Sequence, residues 1–75
     1  MEDKSRYTLQ ELFNNLPISV AELARRSNVN EVTIARIRNG ESIALRSTAN
    51  KLLRVFSEVY KRTLTLDTVD FPVRG

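Results

Sequence analysis

Apolar residues fall into four stretches with helical spacing, separated by polar and turn-forming positions. Leu9, Leu12, Phe13 and Leu16 form the first. Thr8-Leu9-Gln10-Glu11 at its start fits a capping box, in which the hydroxyl accepts an early helix N–H and the glutamate reaches back to the cap. Asn14-Asn15-Leu16-Pro17 stops the helix, because the residue before proline avoids the α region, so helix 1 is placed near 9–15. Ser19-Val20-Ala21-Glu22 has the same capping form and opens helix 2 near 20–27, with Val20, Leu23, Ala24 and Ser27 on one face. Asn28 suits a left-handed residue that closes this helix. Asn30 is placed to cap a third helix near 31–39, with Ile34 and Ile37 as its inner stripe and Val29 plugging the turn before it. Asn39-Gly40 supplies the stop. Beyond a loop over 41–44, Leu45, Ala49, Leu52, Leu53, Phe56, Val59 and Tyr60 make a broad stripe on the longest helix, near 46–61. Its last turn carries Lys61 and Arg62, which suit the negative end of the helix dipole.

The two ends differ from this pattern. Residues 1–7 are polar and read as a flexible terminus. From Thr63 to Val69, Leu64 and Leu66 alternate with threonine, as in a short strand, and Asp70–Gly75 reads as a loose tail. The expected architecture is an all-α, compact domain of four to five helices over residues 8–62. Residues 63–75 would be a C-terminal tail or short strand.

Composition narrows the chemistry. Seventy-five residues make one small domain. The chain has no cysteine and no histidine, so disulfides, the usual zinc-ligand sets and most nucleophile–base pairs are out of reach. An enzyme is not expected, nor a cofactor, since a chain this short makes no deep pocket. No apolar run is long enough to span a membrane, and the Met1–Arg6 start has no apolar stretch behind it, so a cytoplasmic location is expected. The net charge is only +3, but its distribution is uneven. Between Arg25 and Arg62 nine basic residues face three acids, while the rest of the chain is net acidic. That leaves an anionic partner or a solvated basic face as readings of the middle segment.

Two short helices joined by about three residues carry most of the information. Helices that cross steeply need a small side chain where their backbones approach, which Ala24 supplies, and apolar plugs, which Val29, Ile34 and Ile37 supply. Ala21-Glu22-Leu23-Ala24, Val29, Thr33-Ile34, Arg36-Ile37 and Asn39-Gly40, with Thr48-Ala49-Asn50-Lys51-Leu52-Leu53 downstream, resemble the Cro/phage-repressor (XRE-type) helix-turn-helix family over roughly residues 8–57. The departures are Asn28 at the usual turn glycine, Val20 where a glutamine is frequent, and Glu31 and Val32 where many relatives carry polar or basic base-readers.

The resemblance implies a repressor-like fold and sequence-specific binding of double-stranded DNA by a transcriptional regulator, with helix 3 in the major groove. By family position, Asn30, Glu31, Val32 and Arg36 lie nearest base edges. Arg36 is suited to guanine, a contact that discriminates by about 1–3 kcal/mol, or else to a phosphate or to solvent. Val32 fits a thymine methyl or a satellite of the core. Glu31 fits a cytosine amino group or the helix N-terminus. Thr33 and Asn39 are implied phosphate contacts, Arg38 adds charge at the far end of the helix, and Arg25 and Arg26 either flank the DNA backbone or are solvated. A homodimer on two half-sites is expected, with Thr63–Val69 as a segment able to pair across its axis or to pack on its own domain, and the C-terminal tail as a route to a protein partner. The competing reading is a helix-turn-helix adaptor or antitoxin-like protein-interaction module.

Overall fold

The computed structural model describes residues 7–74. Helix α1 spans Leu9–Asn14, α2 Val20–Ser27, α3 Glu31–Arg38 and α4 Arg46–Tyr60. Four two-residue strands accompany them: β1 (Tyr7–Thr8), β2 (Ala44–Leu45), β3 (Val69–Asp70) and β4 (Val73–Arg74). The radius of gyration is 11.6 Å, near the value of about 11 Å for a compact chain of this length.

The helix boundaries follow from their caps. The Thr8 hydroxyl accepts from the Glu11 N–H at 3.1 Å, and the Thr8 N–H donates to the Glu11 carboxylate at 3.0 Å, completing the box at α1. At α2 only half of the expected box forms. Ser19 accepts from the Glu22 N–H at 3.1 Å, but the Glu22 carboxylate takes the Arg25 guanidinium. Helix α4 ends at Tyr60, one residue earlier than expected, because Lys61 is left-handed at φ 56°. Lys61 and Arg62 therefore lie beyond the helix, and the Arg62 guanidinium sits 5.2 Å from the centre of the Tyr7 ring.

One core joins all four helices. Leu12 and Phe13 from α1, Leu23 from α2, Ile34 and Ile37 from α3, and Ala49, Leu52, Leu53, Val55 and Phe56 from α4 are all buried. Phe13 meets Phe56 edge to face, with centroids 5.5 Å apart. Tyr60 continues the aromatic stack and donates its hydroxyl to the Leu12 carbonyl. Burial pushes its phenol above the ordinary tyrosine range.

The ends depart from expectation, and the fold is not purely helical. Residues 63–68 are not a strand. The Thr65 hydroxyl accepts the Asp67 N–H at 3.2 Å and the Thr68 hydroxyl accepts the Thr65 N–H at 3.0 Å, so these threonines close a turn instead of facing a ladder. Nor are residues 69–74 a loose tail. β3 pairs in parallel with β1 (Tyr7↔Val69), and β4 pairs in parallel with β2 (Ala44↔Val73). The C-terminal segment thus straps the starts of α1 and α4 together, since β1 and β2 lead directly into those helices. Leu64, Val69 and Phe71 are buried with the helical core. Ser57 secures the strap: its hydroxyl accepts the Leu64 N–H at 2.9 Å and lies within reach of the Leu53 and Leu64 carbonyls. Of the expected flexible stretch 1–7, residues 1–6 lie outside the described residues, and Tyr7 is held in β1.

The strap makes a direct prediction. Phe71→Ala should lower unfolding free energy by about 3–5 kcal/mol, as for a core phenylalanine. A urea melt showing a change within about 0.5 kcal/mol would fit a loose tail instead.

Candidate functional site

α2 and α3 are separated by Asn28, Val29 and Asn30. Asn28 is left-handed at φ 64°, ψ 32°. In that conformation its N–H reaches the Ala24 carbonyl at 2.8 Å, and the Val29 N–H reaches the same oxygen at 3.2 Å. Val29 then turns inward and is buried. The buried Ser27 hydroxyl lies 3.3 Å from the Val29 N–H, which is thereby shared between two acceptors. Ala21 and Ala24 line a shallow depression with Asn28, Val29, Asn30 and Glu31, so small side chains stand where α2 meets the start of α3.

α3 rests on the core through Ile34 and Ile37 alone. Every other residue from Asn30 to Asn39 is exposed, which includes Asn30, Glu31, Val32, Thr33, Arg36, Arg38 and Asn39. Val32 is 58% exposed, so it is no satellite of the core. Asn30 caps the helix, its carbonyl oxygen accepting the Val32 N–H at 2.7 Å. Its amide N–H groups are the part left to meet another molecule. Glu31 stands in the first turn, at the positive end of the helix dipole. Among the described residues neither Arg36 nor Arg38 pairs with a carboxylate. The far end is closed tightly: the Gly40 N–H donates to Ile37 at 3.2 Å and the Glu41 N–H to Arg36 at 2.8 Å, with Gly40 at φ 78°.

Arg25 and Arg26 are placed differently from the α3 residues. Both are exposed, but both share the Glu22 carboxylate, and Arg26 also approaches Glu58 of α4 at 3.9 Å. The Arg25 guanidinium holds the Glu22 carboxyl below the ordinary carboxylate range. Arg54 reaches Glu58 at 3.9 Å and donates to the Arg26 carbonyl at 3.5 Å, so this cluster fastens α2 to α4. The sequence reading missed that engagement, although Glu22 stands three and four residues before the two arginines, the spacing of helical ion pairs. It also missed Ile43 and Leu45. Leu45 belongs to β2 and is 50% exposed, not part of the α4 stripe, and Ile43 is 53% exposed. Ile43-Ala44-Leu45 is apolar throughout, so nothing local marked that only Ala44 would be buried.

The chemistry on offer is surface recognition. The exposed face of α3 presents donors from Asn30, Thr33, Arg36, Arg38 and Asn39, an apolar patch at Val32 and Ala35, and one acceptor group at Glu31. Among the described residues no cluster of acidic side chains could hold a metal ion, and no helix is long and apolar enough to cross a membrane. No family model, no curated protein and no solved structure matches this chain.

The turn itself is testable. Asn28→Ala should destabilise the fold by about 1 kcal/mol through its left-handed backbone, whereas Asn28→Gly should be nearly neutral. Equal effects of the two in a denaturant titration would contradict this account of the turn.

Proposed function

We propose that the chain is a helix-turn-helix domain that binds double-stranded DNA sequence-specifically, as a transcriptional regulator of the repressor type. The carrying observation is that α3 spends only Ile34 and Ile37 on the core and leaves its whole outer face open to a partner, with Arg36 and Arg38 bound to no carboxylate among the described residues. An exposed helix about 12 Å long is suited to a major groove, which admits one helix and displays a distinct donor and acceptor pattern for each base pair.

In this reading Arg36 and Val32, one turn apart, read base edges, with Asn30 contributing its amide donors and Glu31 restricting the target. Arg38, Thr33 and Asn39 hold phosphates. Arg25 and Arg26 contribute less than their charge suggests, because Glu22 and Glu58 already share it. Two copies on successive half-sites would extend the short readout of one helix.

A protein-interaction adaptor is the second reading. Val32 favours it, since an apolar side chain this exposed beside an acid suits a protein partner as well as a base.

Binding to duplex DNA separates the two. With roughly four phosphates neutralised, affinity should fall about a hundredfold between roughly 50 and 200 mM salt. Arg36→Ala should relax sequence preference, and Asn39→Ala should weaken all duplexes alike. Affinity that hardly responds to salt, or unchanged binding by both variants, would remove α3 from a DNA interface. Glu22→Gln provides an opposite sign. By releasing Arg25 and part of Arg26 it should strengthen binding to random duplex roughly threefold and steepen the salt dependence. Weaker binding by this variant would show that the ion pair itself positions a contact.

A further inference from the structure

We infer that residues 41–45, together with Arg74, form a self-complementary surface through which two copies of this chain associate about a two-fold axis. This goes beyond DNA binding and does not depend on it. Of the two roles open to Thr63–Val69, pairing across a dimer axis or packing on its own domain, Leu64 and Val69 take the second, since both are buried in the core. The exposed apolar groups lie elsewhere. Ile43 and Leu45 are 53% and 50% exposed and flank the buried Ala44 in an extended stretch, so both face outward on the same side.

Three features of this strip match a second copy of itself. Beside Ile43 lies an apolar groove of about 240 Å³, lined also by Leu9, Ile37 and Pro72. Leu45 does not line that groove, and it stands as a knob with no hole on its own chain. The charges at the two ends are opposite. Glu41 stands on the chain before Ile43, and Arg74 is the register partner of Leu45 across β2 and β4. Both are exposed, and among the described residues neither makes an ion pair. A two-fold axis through the middle of the strip carries each Leu45 towards the other copy's groove and each Glu41 towards the other copy's Arg74. An isologous interface needs this kind of pairing, because each patch must meet its own copy reversed. None of Asn30–Arg36 belongs to the strip or lines its groove, to which α3 contributes the inward-facing Ile37.

The test is sedimentation equilibrium of the full chain over a concentration series, with folding checked by circular dichroism. The chain should show a monomer–dimer equilibrium. Ile43→Glu and Leu45→Glu should each weaken it roughly tenfold or more, and Val32→Glu, an equally exposed apolar site outside the strip, should leave it unchanged. The charge pairing has its own signature. Glu41→Arg alone and Arg74→Glu alone should each weaken the homodimer, because like charges then face each other twice. Mixing the two variants should restore association, since in the mixed pair both cross-axis contacts again join opposite charges: two glutamates from one variant meet two arginines from the other. A chain that stays monomeric to about 1 mM, a dimer insensitive to Ile43→Glu and Leu45→Glu, or a mixture that associates no better than its components would each overturn the proposal. DNA binding measured in parallel on the Ile43→Glu monomer keeps the two readings apart: loss of dimer with retained weak half-site binding separates this surface from α3.

Discussion

The Ala24 carbonyl is the point on which the arrangement turns. It accepts two successive N–H groups, from Asn28 and Val29, and it can do so because Asn28 takes up a left-handed backbone. Had α2 continued straight through residue 28, Val29, Ile34 and Ile37 could not all lie against the core. With the chain redirected there, α3 docks by two isoleucines and a preceding valine, and its remaining surface faces outward. Exposure of the candidate site is therefore a consequence of how a short helix is anchored, not of a loose or unfinished fold.

A helix held by so few residues needs a firm base, and a domain this small has little core to spare. The C-terminal strap supplies part of that base. It runs past the starts of α1 and α4, pairs with both β1 and β2, and contributes Leu64, Val69 and Phe71 to the interior. Tyr60, Ser57 and the arginine–glutamate cluster fix α4 to α1, to the strap and to α2 in turn. The surface ion pairs contribute little stability individually, because they are exposed and screened. Their larger effect is electrostatic, since they occupy charge that a polyanion would otherwise meet.

The helices were legible in the sequence because local chemistry sets their ends. Thr8, Ser19, Asn28, Asn30 and Gly40 each act within four residues of their own position, and all five act at the helix ends where the pattern placed them. The inward side of α3 was legible for the same reason, as a spacing of Ile34 and Ile37. The strands were not. Each is two residues long, and its partner lies far away in sequence, so no local alternation announces it. Threonines that resembled a strand serve a turn, because a hydroxyl that bonds its own backbone competes with a ladder. Leu45 deceived through periodicity, since four residues before Ala49 is a helical interval whether or not the helix has begun. The pairing of Arg26 with Glu58 depends on the packing of α2 against α4 and has no counterpart in the local sequence.

The central claim is that the uncovered side of α3 is where this molecule meets DNA. Amide chemical-shift mapping addresses it residue by residue: isotopically labelled protein is titrated with a short duplex taken from a random-sequence selection. Perturbations should concentrate on Asn30–Asn39 and on the start of α2, while Leu52–Phe56 stays still. Shifts that leave α3 untouched and gather on the strip or on the C-terminal segment would contradict it.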